Sequence, residues 1–370
     1  MPYAHITGWG MYVPKKVLTN DDLSKMVDTN DQWIRERTGI RERHIAAPGH
    51  TSSYLGVKAS TEALKVANLA PSELDMIICA TSTPDFLFPS TASIIQDKLG
   101  ASKAGAFDLL AACTGFVYAL NMGAQLIRSG SIKNVLVVGA ETYSRYINWS
   151  DRSTCILFGD GAGAFVLQTS DVPGGVLQSV LHSDGSGANL LSIPGGGSAH
   201  PTSELTVHAG MHYVHMNGGE VFRFATRVMA QATSEVTKAS GWRMEDLNLV
   251  VPHQANYRII DSAARSLKMP IEKFMINVDK YGNTSAASIP IAAVEAVQSG
   301  RLKPGDKVVF VGFGGGLTWG ALSAQWTGSP LPVVGQRHVR PGWYKSLARV
   351  RSLFLRVRRA IENIFPDRRS

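Results

Sequence analysis

The chain has 370 residues, a length that suggests two domains or one large two-part fold with a sizeable core, and at 18% its charged residues are too few for a disordered protein. The net charge of +8 is confined to residues 335–370, where ten Lys or Arg stand against two acids. The remaining 334 residues hold 27 charges of each sign, so a nucleic-acid partner for the whole chain loses its main support.

Short apolar runs alternate with helical patterns along the chain, which implies an α/β fold. The first distinctive string is Asp31-Gln32-Trp33-Ile34-Arg35-Glu36-Arg37-Thr38-Gly39-Ile40-Arg41-Glu42-Arg43. Residues 76–80 then read as a strand buried on both faces. Ala111-Ala112-Cys113-Thr114-Gly115-Phe116 opens a predicted helix over 114–128, and a second buried strand covers 135–138. The glycine loop Phe158-Gly159-Asp160-Gly161-Ala162-Gly163 follows. Pro252-His253-Gln254-Ala255-Asn256 comes after a strand, and Gly282-Asn283-Thr284-Ser285-Ala286-Ala287-Ser288 opens a predicted helix over 284–298. A strand at 308–311 leads into Gly312-Phe313-Gly314-Gly315-Gly316, whose spacing is wrong for a nucleotide fingerprint.

The halves repeat one another. Residues 73–78 match 246–251, and 134–139 match 307–312, both at an offset of 173. Between them 108–130 aligns with 278–300, setting Cys113 opposite Asn283. We read two α/β halves, 1–170 and 171–330, about a pseudo-twofold axis, with a basic tail at 331–370. Cys113 and Asn283 each are expected to follow a strand and open a helix, so the two helix starts face each other. A cysteine at a helix N-terminus is expected to have a lowered pKa.

Each candidate has a plainer reading. A lone cysteine is more often a small buried hydrophobe, which is the reading kept for Cys79 and Cys155. For Cys113 the helix start weighs against it, as does Gly115, expected to leave room for a ligand. His253 would otherwise be a loop histidine and Asn283 an ordinary helix cap. Together an imidazole and a carboxamide supply two neutral donors for an enolate oxygen, and a thiol carries an acyl group. No cysteine follows Cys155 to act as a second base.

These strings resemble β-ketoacyl-acyl-carrier-protein synthase III, the initiating condensing enzymes of bacterial fatty acid synthesis, over about residues 4–326. The resemblance implies a thiolase-like fold with catalytic Cys113, His253 and Asn283. It implies a ping-pong reaction: a short acyl group moves from coenzyme A to Cys113, then malonyl-acyl-carrier protein loses carbon dioxide and attacks it. The Cys113 and Gly315 N–H groups would form the oxyanion hole. Thr29, Trp33, Arg37, Arg152, Phe222 and Ala255 would bind coenzyme A, with Trp33 and Arg152 clasping the adenine; the plainer reading of Trp33 is a core aromatic. Arg223, Arg258 and Arg265 would meet the acidic carrier protein, or are ordinary surface charge. Phe88, Tyr143 and Phe158 would line the acyl pocket, and the glycine loop at 158–163 would pack near the pseudo-dyad. The family's ligand-binding Asn is Gly219 here, with Asn217 nearby. No metal or other cofactor is implied, and acyl-coenzyme A is a substrate.

A homodimer is implied by the family alone. Scattered cysteines, no signal pattern and no apolar run of the ~18 residues a spanning helix needs fit a cytoplasmic protein. Two rivals share the motif strings: an acyl-condensing or acyl-transferring enzyme of secondary metabolism, and a non-catalytic lipid-binding protein on the same fold. Beyond the resemblance, Trp343, Leu347, Val350, Phe354, Val357, Ile361 and Ile364 form one stripe on a predicted tail helix. Lys345, Arg349, Arg356 and Arg359 fall opposite, and Arg351 and Arg358 flank it. Docking on the body or a dimer mate, in-plane membrane contact and attraction of the carrier protein are the three readings.

Overall fold

The computed structural model describes residues 1–328, 350 and 352–358. Two mixed sheets organise the chain. The first contains β1 (Tyr3–Tyr12), β2 (Met76–Ala80), β3 (Gly105–Leu109), β4 (Asn134–Thr142) and β5 (Asp160–Ser170), in the order β1-β5-β4-β2-β3. The second contains β6 (Gly175–Ser183), β7 (Leu249–Pro252), β8 (Lys307–Gly314) and β9 (Thr318–Gln325), in the order β7-β8-β9-β6. The pairings correspond. β2 runs parallel to β4, and β7 parallel to β8; β4 then pairs antiparallel with β5, and β8 with β9.

Side-chain alternation on these strands separates three cores. Ile77 and Cys79 of β2 point to an outer layer formed by α2 (Ser52–Val66) and α3 (Thr91–Leu99), which follow α1 (Asp31–Thr38) in the chain. Ile78 and Ala80 point to the middle layer. On the second sheet Leu249, Val251, Val308 and Phe310 face that same middle layer. Val250, Val309 and Val311 face outward, onto α5 (Gly218–Ala239) and α6 (Tyr257–Ser266).

The middle layer is filled by α4 (Gly115–Arg128) and α7 (Ser288–Gln298). A helix covered on both sides must be apolar around most of its circumference. α7 meets this with Ile289, Pro290, Ile291, Ala292, Ala293 and Val294 all buried. Phe165 of β5 joins the layers, packing edge-on against Phe116 of α4 at 5.1 Å and Phe310 of β8 at 5.9 Å. Glycines permit close approach: a Cβ at Gly163 would lie 2.6 Å from Pro290 Cβ. The glycine loop at 158–163 therefore packs strand on helix.

Two expectations need correcting. The helix expected over 284–298 starts at Ser288, after a single 3-10 turn at Ser285–Ala287. Asn283 does not follow a strand either: the short helix Val278–Tyr281 and Gly282 precede it. The preceding segment makes only one bridge, Val250 to Phe274, too little pairing for a strand. In the tail, residues 352–358 are helical. Ser352 and Arg356 reach Asp97 of α3 at 3.2 and 3.3 Å, while Val350 and Phe354 are 65% and 64% exposed. The described part of the stripe thus faces away from the body. Trp343, Lys345, Leu347, Arg349, Arg351, Arg359, Ile361 and Ile364 lie outside the described residues. Among the described residues no helix is long and apolar enough to cross a membrane.

Candidate active site

Cys113 sits on a 3-10 turn, Ala112–Thr114, between β3 and α4. Ala112 has φ +46°, a left-handed conformation that costs a non-glycine residue roughly 1–3 kcal/mol and recurs at functional turns. Thr318 of β9 secures the turn: its hydroxyl donates to the Ala111 carbonyl at 3.1 Å, and the Thr114 hydroxyl donates to the Thr318 carbonyl at 3.1 Å. Gly115 does not leave room for a ligand. A Cβ there would meet Ala80 and Ala286, so the missing side chain admits protein.

His253 follows the end of β7, where its N–H donates to the Val311 carbonyl of β8 at 2.8 Å. Its Nδ1 lies 2.6 Å from the Ser288 hydroxyl at the start of α7. The Gln254 N–H donates to the same oxygen at 3.4 Å, and a serine proton given to Nδ1 would put the imidazole proton on Nε2. Asn283 is oriented in a comparable way. Its Oδ1 accepts the Ser285 N–H at 2.8 Å, so the amide NH₂ is the end left to donate.

Cys113, His253 and Asn283 line one cavity of about 520 Å³, its open mouth included. Phe158, Met216, Phe222, Ala255, Phe313 and Gly314 share the lining. Burial of these side chains governs their ionisation. Burial drives the His253 imidazole down to about 3, so it is neutral at physiological pH. Burial also pushes the Cys113 thiol up to about 12, partly opposed by the Ser285 hydroxyl. The lowered thiol pKa expected from a helix start is therefore overturned, because desolvation outweighs it.

The other expected site residues distribute as follows. Gly314 lines the cavity, and a Cβ on it would lie 2.6 Å from the Cys113 nitrogen; Gly315, next in the chain, abuts the Leu191 carbonyl. The Arg37 and Arg152 guanidiniums each lie 4.8 Å from the centre of the half-buried Trp33 ring. Thr29 is close by in sequence, its hydroxyl buried without a hydrogen-bond partner among the described residues. Arg258 lies over Phe222 at 5.4 Å. Arg265 pairs with Asp261 at 2.7 Å, and Arg223 with Glu220; all three arginines are exposed. Tyr143 stacks on Phe158 at 4.9 Å, whereas Phe88 is 87% exposed and stands away from the cavity of its own chain. Asn217 caps α5 by accepting the Glu220 N–H at 3.2 Å, and a Cβ on Gly219 would make ordinary contacts, 3.8 Å to Asn217 Oδ1 and 3.9 Å to Arg223 Nη1. Ser285 and Ser288 lie within the string that carries Asn283 and Glu141 ends an apolar strand, but the sequence assigns none of them a role. Only the fold brings them behind the three named residues.

A family model described as 3-oxoacyl-[acyl-carrier-protein (ACP)] synthase III matches residues 107–185, and its C-terminal counterpart matches 237–326. The β-ketoacyl-[acyl-carrier-protein] synthase III of Desulfitobacterium hafniense is 55% identical over 322 residues, 87% of this chain and 97% of that protein. Its namesake from Roseiflexus sp. is 51% identical over 88% of this chain and 99% of its own length. The crystal structure of 3-oxoacyl-[acyl-carrier-protein] synthase III from Aquifex aeolicus superposes with a TM-score of 0.81 at 48% identity, covering 87% of this chain and all of that one.

Proposed function

Because the chain belongs to the 3-oxoacyl-acyl-carrier-protein synthase III family, we propose a division of labour among its residues for that family's reaction. The chain is a condensing acyltransferase with the thiolase-like α/β fold. It joins an acyl-coenzyme A primer to malonyl-acyl-carrier protein, which initiates fatty acid synthesis. A secondary-metabolic role is not favoured, since curated relatives 55% and 51% identical carry the synthase III name.

Cys113 takes the acyl group in the first half-reaction. The malonyl thioester then enters the cavity and its C–C bond to the carboxylate breaks. Carbon dioxide leaves, and the enolate oxygen is held by His253 Nε2–H and the Asn283 amide. Both donors are neutral, so they stabilise the oxyanion without handing a proton to the carbanion. The carbanion attacks the acyl-cysteine, whose carbonyl oxygen is received by the N–H groups of Cys113 and Gly315, and the carbon–sulfur bond then breaks to return the Cys113 thiolate. The chemistry runs on thiol, imidazole, amide and backbone groups, without a cofactor.

Trp33, Arg37, Arg152 and Thr29 bind the nucleotide end of coenzyme A, and Phe222 and Ala255 its pantetheine arm. Arg223, Arg258 and Arg265 meet the carrier protein. Tyr143 and Phe158 bound the acyl group. The exposed apolar run Phe86, Leu87 and Phe88 supports a homodimer in which Phe88 completes the partner's pocket. Three free cysteines support a reducing, cytoplasmic location. The tail adds contact with an anionic membrane surface, supported by its basic charge and the outward apolar side chains of its described part.

The observation that carries this reading is the convergence of Cys113 with two pre-oriented neutral donors on one cavity. Separating the half-reactions tests it. His253→Ala and Asn283→Ala should still be acylated by acetyl-coenzyme A, while malonyl decarboxylation falls ~10²–10³-fold. Wild-type decarboxylation in both variants would remove the enolate assignment.

A further inference from the structure

We propose that Arg43 is a positioning residue for Asn283: its buried guanidinium fixes the segment 156–159, and that segment holds Asn283 in the cavity. The inference rests on Asn283 binding the enolate oxygen. Arg43 itself lies outside the cavity lining.

Asn283 belongs to no strand or regular helix. It stands between the short helix Val278–Tyr281 and the 3-10 turn Ser285–Ala287. Its backbone is held by one segment. The Asn283 N–H donates to the Leu157 carbonyl at 2.8 Å, and its carbonyl accepts the Gly159 N–H at 3.0 Å. Together these make the parallel bridge between Asn283 and Phe158. The other two groups are supported elsewhere, His253 by β8 and Ser288, and the Cys113 turn by Thr318. Displacing 157–159 therefore moves the Asn283 amide and leaves the imidazole and the thiol in place.

The segment 156–159 has no helix or strand of its own. It follows the four-residue helix Arg152–Cys155 and precedes β5. Arg43, on the short strand Glu42–Ile45, ties it down. Its Nη2 donates to the Ile156 carbonyl at 2.7 Å. Its Nη1 donates to Asn20 Oδ1 at 2.9 Å and to the Leu18 carbonyl at 3.1 Å. Asn20 is anchored in turn, since its Nδ2 donates to the Ile40 carbonyl at 2.8 Å and to Asp31 Oδ1 of α1 at 2.9 Å. The stem of Arg43 packs beside the bridge. A Cβ on Gly159 would lie 3.1 Å from Arg43 Cβ, and one on Gly282 would lie 3.2 Å from it. The neighbours of both bridge partners thus lack a side chain where Arg43 packs.

Arg43 is wholly buried. None of its three acceptors is a carboxylate, and its Nε has no hydrogen-bond partner among the described residues. Burial lowers its pKa only to about 10, so it stays charged at neutral pH. A charge buried on neutral oxygens alone is costly, which makes stability a weak reason for it. Geometry is the stronger reason. A rigid planar fork bridges residues 18–20 and residue 156, and neither lysine nor methionine can reproduce it.

The test is a double-mutant cycle on malonyl decarboxylation, with Arg43→Met and Asn283→Ala made singly and together. Acetyl transfer to Cys113 is followed in each protein. Arg43→Met should slow decarboxylation about 10- to 100-fold, the scale of a misplaced reacting group, and keep acetyl transfer within about threefold of wild type. Added to Asn283→Ala, it should slow decarboxylation less than about threefold further, because the group it positions is already gone. Arg43→Lys should fall between wild type and Arg43→Met. The same factor in both backgrounds marks a general structural role and overturns the proposal. So does decarboxylation by Arg43→Met within about threefold of wild type. A fall in acetyl transfer as large as the fall in decarboxylation overturns it too. If Arg43→Met does not fold, Arg43→Lys enters the same cycle under the same outcomes, because it keeps the stem and the charge but cannot reach both segments. Wild-type decarboxylation by Asn283→Ala alone instead sinks the enolate assignment, and the proposal with it.

Discussion

The Ser288 hydroxyl lies 2.6 Å from His253 Nδ1, and we assign it the role of donating to that nitrogen so that Nε2 carries the proton. Ser288→Ala should therefore slow malonyl decarboxylation about 10- to 100-fold by releasing the tautomer, and leave acetyl transfer to Cys113 near the wild-type rate. Single-turnover assays of each half-reaction separate the two. An unchanged decarboxylation rate would show that the imidazole is oriented by something else.

Stability should record the buried imidazole. The folded pKa of His253, about 3, lies below its ordinary 6.5, so protonation favours the unfolded chain. The contribution is full above pH 6.5 and is lost as pH falls toward 3. At pH 4.5 the loss is roughly 3 kcal/mol. Urea unfolding of wild type and His253→Gln at pH 7 and pH 4.5 measures it. The variant should lose less on acidification by about that amount, and equal losses would contradict a neutral buried histidine.

Trp33 holds two guanidiniums, each 4.8 Å from its ring centre, at the surface. If this is where the adenine is clasped, Trp33→Ala should raise KM for acetyl-coenzyme A about tenfold. KM for malonyl-acyl-carrier protein should stay put. A rise in both would mean that the substitution merely disturbs α1.

Much of this site was legible because its residues announce themselves locally. Cys113, His253 and Asn283 each lie in a short distinctive string, and the offset between halves anticipated the match of β2 with β7 and β4 with β8. What escaped depends on packing between distant segments. Ser288 and Ser285 are small polar residues at a helix start, where capping is the ordinary explanation. Glu141 ends an apolar strand, and its burial follows from three hydroxyl-bearing residues 58–60 positions away in the chain. The thiol went the other way, since a helix start is visible in sequence but complete desolvation is not.

The described part of the tail touches the body at Asp97 through Ser352 and Arg356, away from the cavity-lining residues. Removing residues 335–370 should leave acetyl transfer to Cys113 intact, because the matched relatives are covered almost end to end without it. The same truncation should abolish co-sedimentation with vesicles containing anionic lipid, and high salt should weaken binding of the full chain. Equal sedimentation of both proteins removes the membrane reading. Loss of dimerisation on truncation would assign the apolar stripe to a second copy.

The most direct measurement is the mass of the Cys113 peptide after brief incubation with acetyl-coenzyme A and quenching in acid. The account predicts one acetyl group on Cys113, discharged when malonyl-acyl-carrier protein is added and absent in Cys113→Ser. An acetyl group elsewhere, or condensation at the wild-type rate by Cys113→Ser, would contradict it.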